Sequence, residues 1–168
     1  LLSDTYYLTL TDHKDYLNQL PIDANYIPVT TNYCCGIGIY NVNLNNLNKT
    51  SLPAGEGYKN FTYEKVIIEY GQTNKLEITT GAGYPERVVA WIDFNNDGNF
   101  TDSEKVLQSQ NTLPNRIHRA FITIPENAQT YIPLRMRIMS DYPSQPFPGS
   151  CSNLYHGQCE DYTVFIGK

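Results

Sequence analysis

An all-β fold is predicted for this chain: an antiparallel β-sandwich or jelly-roll-like arrangement. Short apolar or alternating runs recur along most of its 168 residues, separated by clusters of Gly, Pro, Asn and Asp. Charge is low and tyrosine high, with 17% charged residues and 14 Tyr, a balance that suits pleated, half-buried surfaces more than helices. The run Val88-Val-Ala-Trp-Ile92, after Gly81-Ala-Gly-Tyr-Pro85, is short, apolar and β-branched, the pattern of a buried strand and not of an amphipathic helix.

Taken in order, Tyr6–Thr11 reads as a strand and Asp12–Leu20 as one short helix or a loop, ended by Pro21. Tyr26–Thr30 is extended, and its internal Pro28 restricts it to an edge. Residues 1–32 therefore form an N-terminal extension or linker ordered by packing on a body of residues 33–168. In that body Ile37–Leu44 alternates with a phase slip that reads as a bulge, and residues 45–56 read as a loop. Strands follow at Tyr58–Tyr63, at Val66–Ile68 and Lys75–Thr80 around a turn at Gly71–Asn74, and at Val88–Ile92. Further strands are expected at Lys105–Leu107, Ile117–Ile124, Leu134–Met139 and Tyr162–Ile166. Many short strands with turn signals between them mean a sandwich or jelly roll, and the length suits one domain with a sizeable core.

The most informative stretch is Asp93-Phe-Asn-Asn-Asp-Gly-Asn-Phe-Thr-Asp-Ser-Glu104, which fits Asp-x-Asn-x-Asp-Gly-x5-Glu at each specified position. Asp93, Asn95 and Asp97 supply short oxygen ligands, the carbonyl of Asn99 adds another, Thr101 serves directly or through water, and Glu104 closes the site in bidentate fashion. Oxygen donors without nearby Cys or His select calcium over zinc or copper. The competing reading is a solvated Asn/Asp/Gly turn between strands. Because the loop leaves a strand and not a helix, the ion is expected to be structural and not regulatory.

A net charge of −5 argues against nucleic acid or an anionic membrane surface as partner, since phosphate recognition needs a basic surface. No apolar run approaches transmembrane length. The opening Leu1-Leu-Ser-Asp4 resembles no signal peptide, so the chain is taken as a mature or excised segment. Four cysteines fall into two groups, Cys34-Cys35 and Cys151 with Cys159. A bond between neighbours is strained, so the two pairings that tie the early group to the late one are favoured, in an oxidising extracellular setting.

The succession Tyr33-Cys34, Val88–Glu104, Ile124-Pro125, Leu134-Arg-Met-Arg137 and Gly157-Gln-Cys-Glu-Asp-Tyr-Thr-Val164 strongly resembles the GEVED domain family, over about residues 33–167. That resemblance implies a β-sandwich module of large secreted or surface proteins of bacteria, often found beside proteases, glycosidases and adhesins and mostly without an assigned activity. The chain departs from the name-giving motif at Gln158, where the family has Glu, and at Cys159, where it has Val. In the implied fold Glu160 and Asp161 end at the same rim as the Asp93 loop. They either complete a calcium shell or pair with Arg135 and Arg137 on the neighbouring strand; the ion pair is favoured for Glu160, and Asp161 stands between the two.

Binding residues are expected among loop aromatics. Trp91, inside its apolar run, reads as a core anchor, whereas Tyr142, Phe147 and Tyr155 lie in a long loop stiffened by three prolines, with Tyr84 extending the surface. Rigid rings beside Asn and Gln amides suit a sugar or a peptide strand. No Gly-x-Ser-x-Gly, His-Glu-x-x-His or phosphate-cradling loop is present, and Glu86, Asp141 and Glu160 are the carboxylates from which a glycosidase pair would have to be drawn. The reading is a non-catalytic, calcium-stabilised binding or adhesion module of a larger secreted or cell-surface protein. Carbohydrate or a surface glycan is the first choice of ligand, and a protein partner or a spacer role the alternative.

Overall fold

The computed structural model describes residues 16–32, 34–51, 57–111 and 116–168. Among these are nine strands and no α-helix, in two packed sheets. The strands are β1 (Ile39–Leu44), β2 (Leu47–Thr50), β3 (Tyr58–Glu69), β4 (Asn74–Thr80), β5 (Arg87–Ile92), β6 (Lys105–Gln110), β7 (Ile117–Ile122), β8 (Leu134–Asp141) and β9 (Gln158–Gly167). One sheet runs β2-β1-β4-β7 and the other β3-β9-β8-β5-β6, so the chain is a β-sandwich. Every pairing is antiparallel except β3 with β9, which is parallel. At Gly71 the chain passes directly from β3 in one sheet to β4 in the other.

Alternation explains the smaller sheet. In β4, Leu76, Ile78 and Thr80 are buried while Lys75 is exposed and Glu77 and Thr79 are half-buried, so one face meets the core and the other meets water. The core between the sheets gathers Val42, Leu44, Leu76 and Ile78 from this side and Ala90, Met136, Ile138, Tyr162 and Val164 from the other. The expected slip in β1 is a register shift between Ile39 and Asn41.

The larger sheet does not alternate: every residue of β8 and β9 is buried. Its second face carries Val89, Trp91, Met139 and Cys159, which pack with Leu154 into a second apolar cluster. Residues 22–32 and the 142–157 loop cover that face. The chain at Thr30 bridges Leu154 in parallel, and the N–H groups of Thr31 and Asn32 donate to the carbonyls of Leu154 (3.0 Å) and Tyr155 (2.8 Å). Tyr26–Thr30 is thus extended as expected, with its pairing made to a loop. Trp91 is buried in this outer cluster.

Two expectations are corrected. Residues 45–56 are not one loop, because Leu47–Thr50 returns along β1. Asn45, at a φ of 49°, supplies the left-handed residue of the two-residue turn that a tight hairpin needs. The proposed ties between the early and late cysteines are absent. Cys34 is bonded to Cys35, and Cys151 and Cys159 are free. The tight turn there, with Cys35 at a φ of 70° and Gly36 at 69°, sets the neighbouring side chains together. Cys159 instead lies fully buried in the apolar cluster, and Cys151 is exposed. The strand expected at Tyr6–Thr11 and the start of the Asp12–Leu20 segment lie outside the described residues; Tyr16–Asn18 is a 3-10 turn.

Candidate functional site

The Asp93–Glu104 loop leaves β5 at the rim of the larger sheet and ends in a 3-10 turn, Asp102–Glu104, that leads into β6. Asn96 and Gly98 take positive φ (58° and 81°), which folds the loop back on Asp93. The two Asp93 oxygens accept the N–H groups of Asp97 (3.1 Å) and Gly98 (2.9 Å). Asp97 accepts from Asn99 N–H at 2.8 Å, and Glu104 accepts from the N–H and the hydroxyl of Thr101, both at 2.9 Å. Burial pushes the Asp93 carboxyl up, its backbone hydrogen bonds oppose this, and the nearby Glu104 and Asp97 add to the rise. Among the described residues no ion pair reaches Asp93, Asp97 or Glu104; Lys105 pairs with Asp102 instead.

The donor set fits calcium in kind: hard oxygens on alternate residues, with mutual carboxylate repulsion that a cation would relieve. Asp93, Asn95, Asp97, Asn99, Thr101 and Glu104 would hold it. The set mixes carboxylates with amide and main-chain oxygens, and no cluster of three His, Cys, Asp or Glu suited to a metal occurs among the described residues.

The loop also grips the N-terminal segment. Asn25 N–H donates to the Gly98 carbonyl at 3.3 Å, and the Asn25 side-chain amide donates to Asn99. Beside it, Arg137 and Asp161 form a fully buried pair, with Nε to Oδ1 and Nη2 to Oδ2 both at 2.8 Å. Arg135 adds Nη1 to Oδ2 at 2.9 Å, and the Tyr58 hydroxyl donates to the same oxygen at 3.0 Å. The spare donors reach outward: Arg137 Nη1 to the carbonyls of Tyr26 (2.7 Å) and Ser150 (2.9 Å), and Arg135 to the Ile22 carbonyl (2.9 Å) and the Asp23 carboxylate (3.0 Å). Burial opposes the Arg137 charge, yet its bonds to Asp161 prevail and raise its pKa. This clip fastens both covering segments to the sheet.

A Cβ on Gly157 would lie 1.6 Å from the Ser140 carbonyl oxygen, so that position must lack one. Gln158 accepts Ile39 N–H at 2.9 Å, which an amide oxygen does as well as a carboxylate. Cys159 fills an apolar site. Glu160 is corrected: it makes no pair with Arg135 or Arg137, because β9 alternation turns it to the opposite face from Asp161. There it accepts the hydroxyls of Ser51 and Tyr162, both at 2.6 Å, and burial lifts its pKa to about 7. Asp161 takes the ion-pair role, and neither acid joins the Asp93 loop.

Of the expected binding aromatics, Tyr84 and Tyr142 meet edge to face, with ring centroids 5.8 Å apart. Tyr142 meets His156 at 5.8 Å, and His156 meets Tyr155 at 4.1 Å. Tyr84 and Tyr155 are exposed. Asp141 anchors this row: its carboxylate accepts the N–H groups of Tyr142 and Tyr155 at 2.8 Å and of His156 at 2.9 Å. Cys34 Sγ lies 3.6 Å from His156 Nδ1. Phe147 stands apart from the row, 4.9 Å beneath the Arg87 guanidinium, but it lines the same hollow as Tyr155. Arg87 and Asn25 escape sequence reasoning, since their partners lie far along the chain. Glu86 is fully buried, accepts the N–H groups of Gly38 (3.0 Å) and Gly81 (2.9 Å), and is pushed by burial to about 8.

Fold and site together define a β-sandwich module with an oxygen-donor rim loop, a buried arginine–aspartate clip and a surface row of aromatic rings. Residues 87–165, a little under half of the chain, match the family model of the GEVED domain. No curated protein and no solved structure matches it.

Proposed function

We propose that this chain is a non-catalytic binding or adhesion module of a larger secreted or cell-surface protein, stabilised by calcium in the Asp93–Glu104 loop and recognising carbohydrate. The observation that carries the reading is the Tyr84–Tyr142–His156–Tyr155 row beside a hollow edged by Gln145, Ser152 and Asn153. Aromatic faces take the C–H faces of sugar rings, while amides and hydroxyls pair with sugar hydroxyls. Tyr142, His156 and Tyr155 sit on a proline-stiffened loop pinned by one carboxylate, so little ordering entropy is lost on binding. A disulfide between Cys34 and Cys35 agrees with an oxidising compartment. Glu86 and Glu160 are fully buried and occupied by structural hydrogen bonds, which supports a module without catalytic machinery.

The test is intrinsic fluorescence titrated with soluble glucans, mannans, xylans and chitin fragments, on the native chain and on Tyr155→Ala. Saturable quenching by one class of glycan, weakened in the variant, is expected. Absence of any response to glycans would favour the protein-partner or spacer role.

A further inference from the structure

Two hollows lie on the covered side of the larger sheet, and they adjoin. The first, of about 270 Å³, is lined by Gln145, Phe147, Ser152, Asn153 and Tyr155 among others. The second, of about 390 Å³, is lined by Trp91, Phe100, Asp102, Lys105, Gln108 and again Phe147. Phe147 and Pro148 border both. Their divider is rigid, because Arg87 on β5 stacks on Phe147 and donates to the carbonyl of Gln145 in the same loop. On the far side the Ser150 hydroxyl holds the Phe100 carbonyl at 3.2 Å, so the wall of the second hollow is tied to the loop of the first.

Size decides against a closed pocket for one small ligand. The first hollow, at about 270 Å³, falls below the roughly 300–1,000 Å³ usual for ligand sites and the second, at about 390 Å³, lies near its low end, whereas joined they fall well inside it. Chemistry decides the class. Along the path run Tyr155, Phe147 and Phe100 with amides and hydroxyls between them, and the charged groups are already engaged: Asp141 in the first hollow by the N–H groups of Tyr142, Tyr155 and His156, and Asp102 in the second by Lys105 at 2.9 Å. A repeating neutral ligand with alternating apolar faces and hydroxyls matches that order.

Resting on the carbohydrate reading above, we infer that the two hollows are consecutive subsites of one track for a linear neutral oligosaccharide, divided by Phe147. The track recognises an internal stretch of a chain, and affinity grows with chain length until both subsites are filled.

The experiment is calorimetric titration of the native chain with cello-, manno- and chito-oligosaccharides of one to six sugars, repeated on Tyr155→Ala in the first hollow and Gln108→Ala in the second. Both substituted side chains are exposed, so folding should survive. For the recognised series, affinity is expected to rise about tenfold or more between the disaccharide and the pentasaccharide, equivalent to one good subsite. Each variant is expected to weaken the pentasaccharide severalfold. If the disaccharide binds as tightly as the pentasaccharide, or if Gln108→Ala leaves the pentasaccharide unchanged, the track is overturned while carbohydrate binding stands. If no oligosaccharide of any series binds the native chain, the track and the reading it rests on fall together.

Discussion

Replacing Asp161 by Asn should be among the most damaging conservative changes available to this chain. The carboxylate accepts two bonds from Arg137, one from Arg135 and one from Tyr58, and the acid and Arg137 are fully buried. The amide keeps the shape but removes the charge and turns an N–H₂ group toward a guanidinium. Removing one partner of a buried pair costs about 3–5 kcal/mol, because the other charge is left without compensation. At about 2–4 °C per kcal/mol for a chain of this size, the melting midpoint should fall by roughly 6–20 °C. Thermal unfolding followed by circular dichroism measures this. Limited proteolysis should show earlier cleavage near Tyr26, whose carbonyl Arg137 holds. Glu160→Gln is the internal control. Its neighbours are hydroxyls that can reverse their donor sense, so about 1 kcal/mol is expected, the worth of one neutral hydrogen bond. The reasoning is refuted if Asp161→Asn costs less than about 1 kcal/mol, the value of an exposed pair, or if Glu160→Gln costs as much as Asp161→Asn.

Stability should fall as pH rises from the mildly acidic range. Glu86 and Glu160 are raised from 4.5 to about 8 and about 7, so the folded state holds protons that the unfolded chain has released. Their contribution is complete below 4.5 and is lost as pH climbs through 7 and 8. His118 works in the opposite direction: burial lowers it from 6.5 to about 4, so its contribution is present above 6.5 and lost as pH falls through 4. Urea melts between pH 5 and 8.5 should show the decline, and Glu86→Gln should flatten its upper part; an unchanged slope in that variant would remove Glu86 from the explanation. Gly157→Ala should destabilise by several kcal/mol or block folding, since its Cβ would overlap the Ser140 carbonyl; a melting midpoint within about 2 °C of the native value, under roughly 1 kcal/mol, would mean that the β8–β9 junction yields easily.

The fold is legible in the sequence wherever one face of a strand is wet, because burial alternation is then written into residue type, as in Leu76, Ile78 and Thr80 against Lys75, Glu77 and Thr79. It is less legible where a second layer covers the sheet. Ser140, Asp141, Gln158, Glu160 and Asp161 are polar, yet they extend β8 and β9 beyond the apolar runs and are buried, because residues 22–32 and 142–157 exclude water from them. β2 is hidden for another reason: in Leu47-Asn-Lys-Thr50 only Leu47 is buried, and the signal was the Asn45-Asn46 turn. The site follows the same division. The Asp93–Glu104 loop is local and can be read from spacing, and Arg135, Arg137 and Asp161 are nameable as a charged group. Their attachment to Ile22, Asp23 and Tyr26 spans more than 100 positions, and no local pattern encodes it. The cysteines misled because pairing by strain alone ignores the left-handed turn at Cys35 and the apolar site that holds Cys159.

Calcium occupancy is the most direct test of the account. Thermal unfolding of the native chain and of Asp97→Ala should be followed in excess calcium and in chelator. At a calcium concentration a hundredfold above its dissociation constant, binding to the folded state alone contributes about 2.7 kcal/mol, or roughly 5–11 °C in the midpoint. The account predicts that rise for the native chain and none for Asp97→Ala. Identical midpoints in calcium and chelator for the native chain would contradict it, leaving Asp93–Glu104 as a turn held by its own hydrogen bonds.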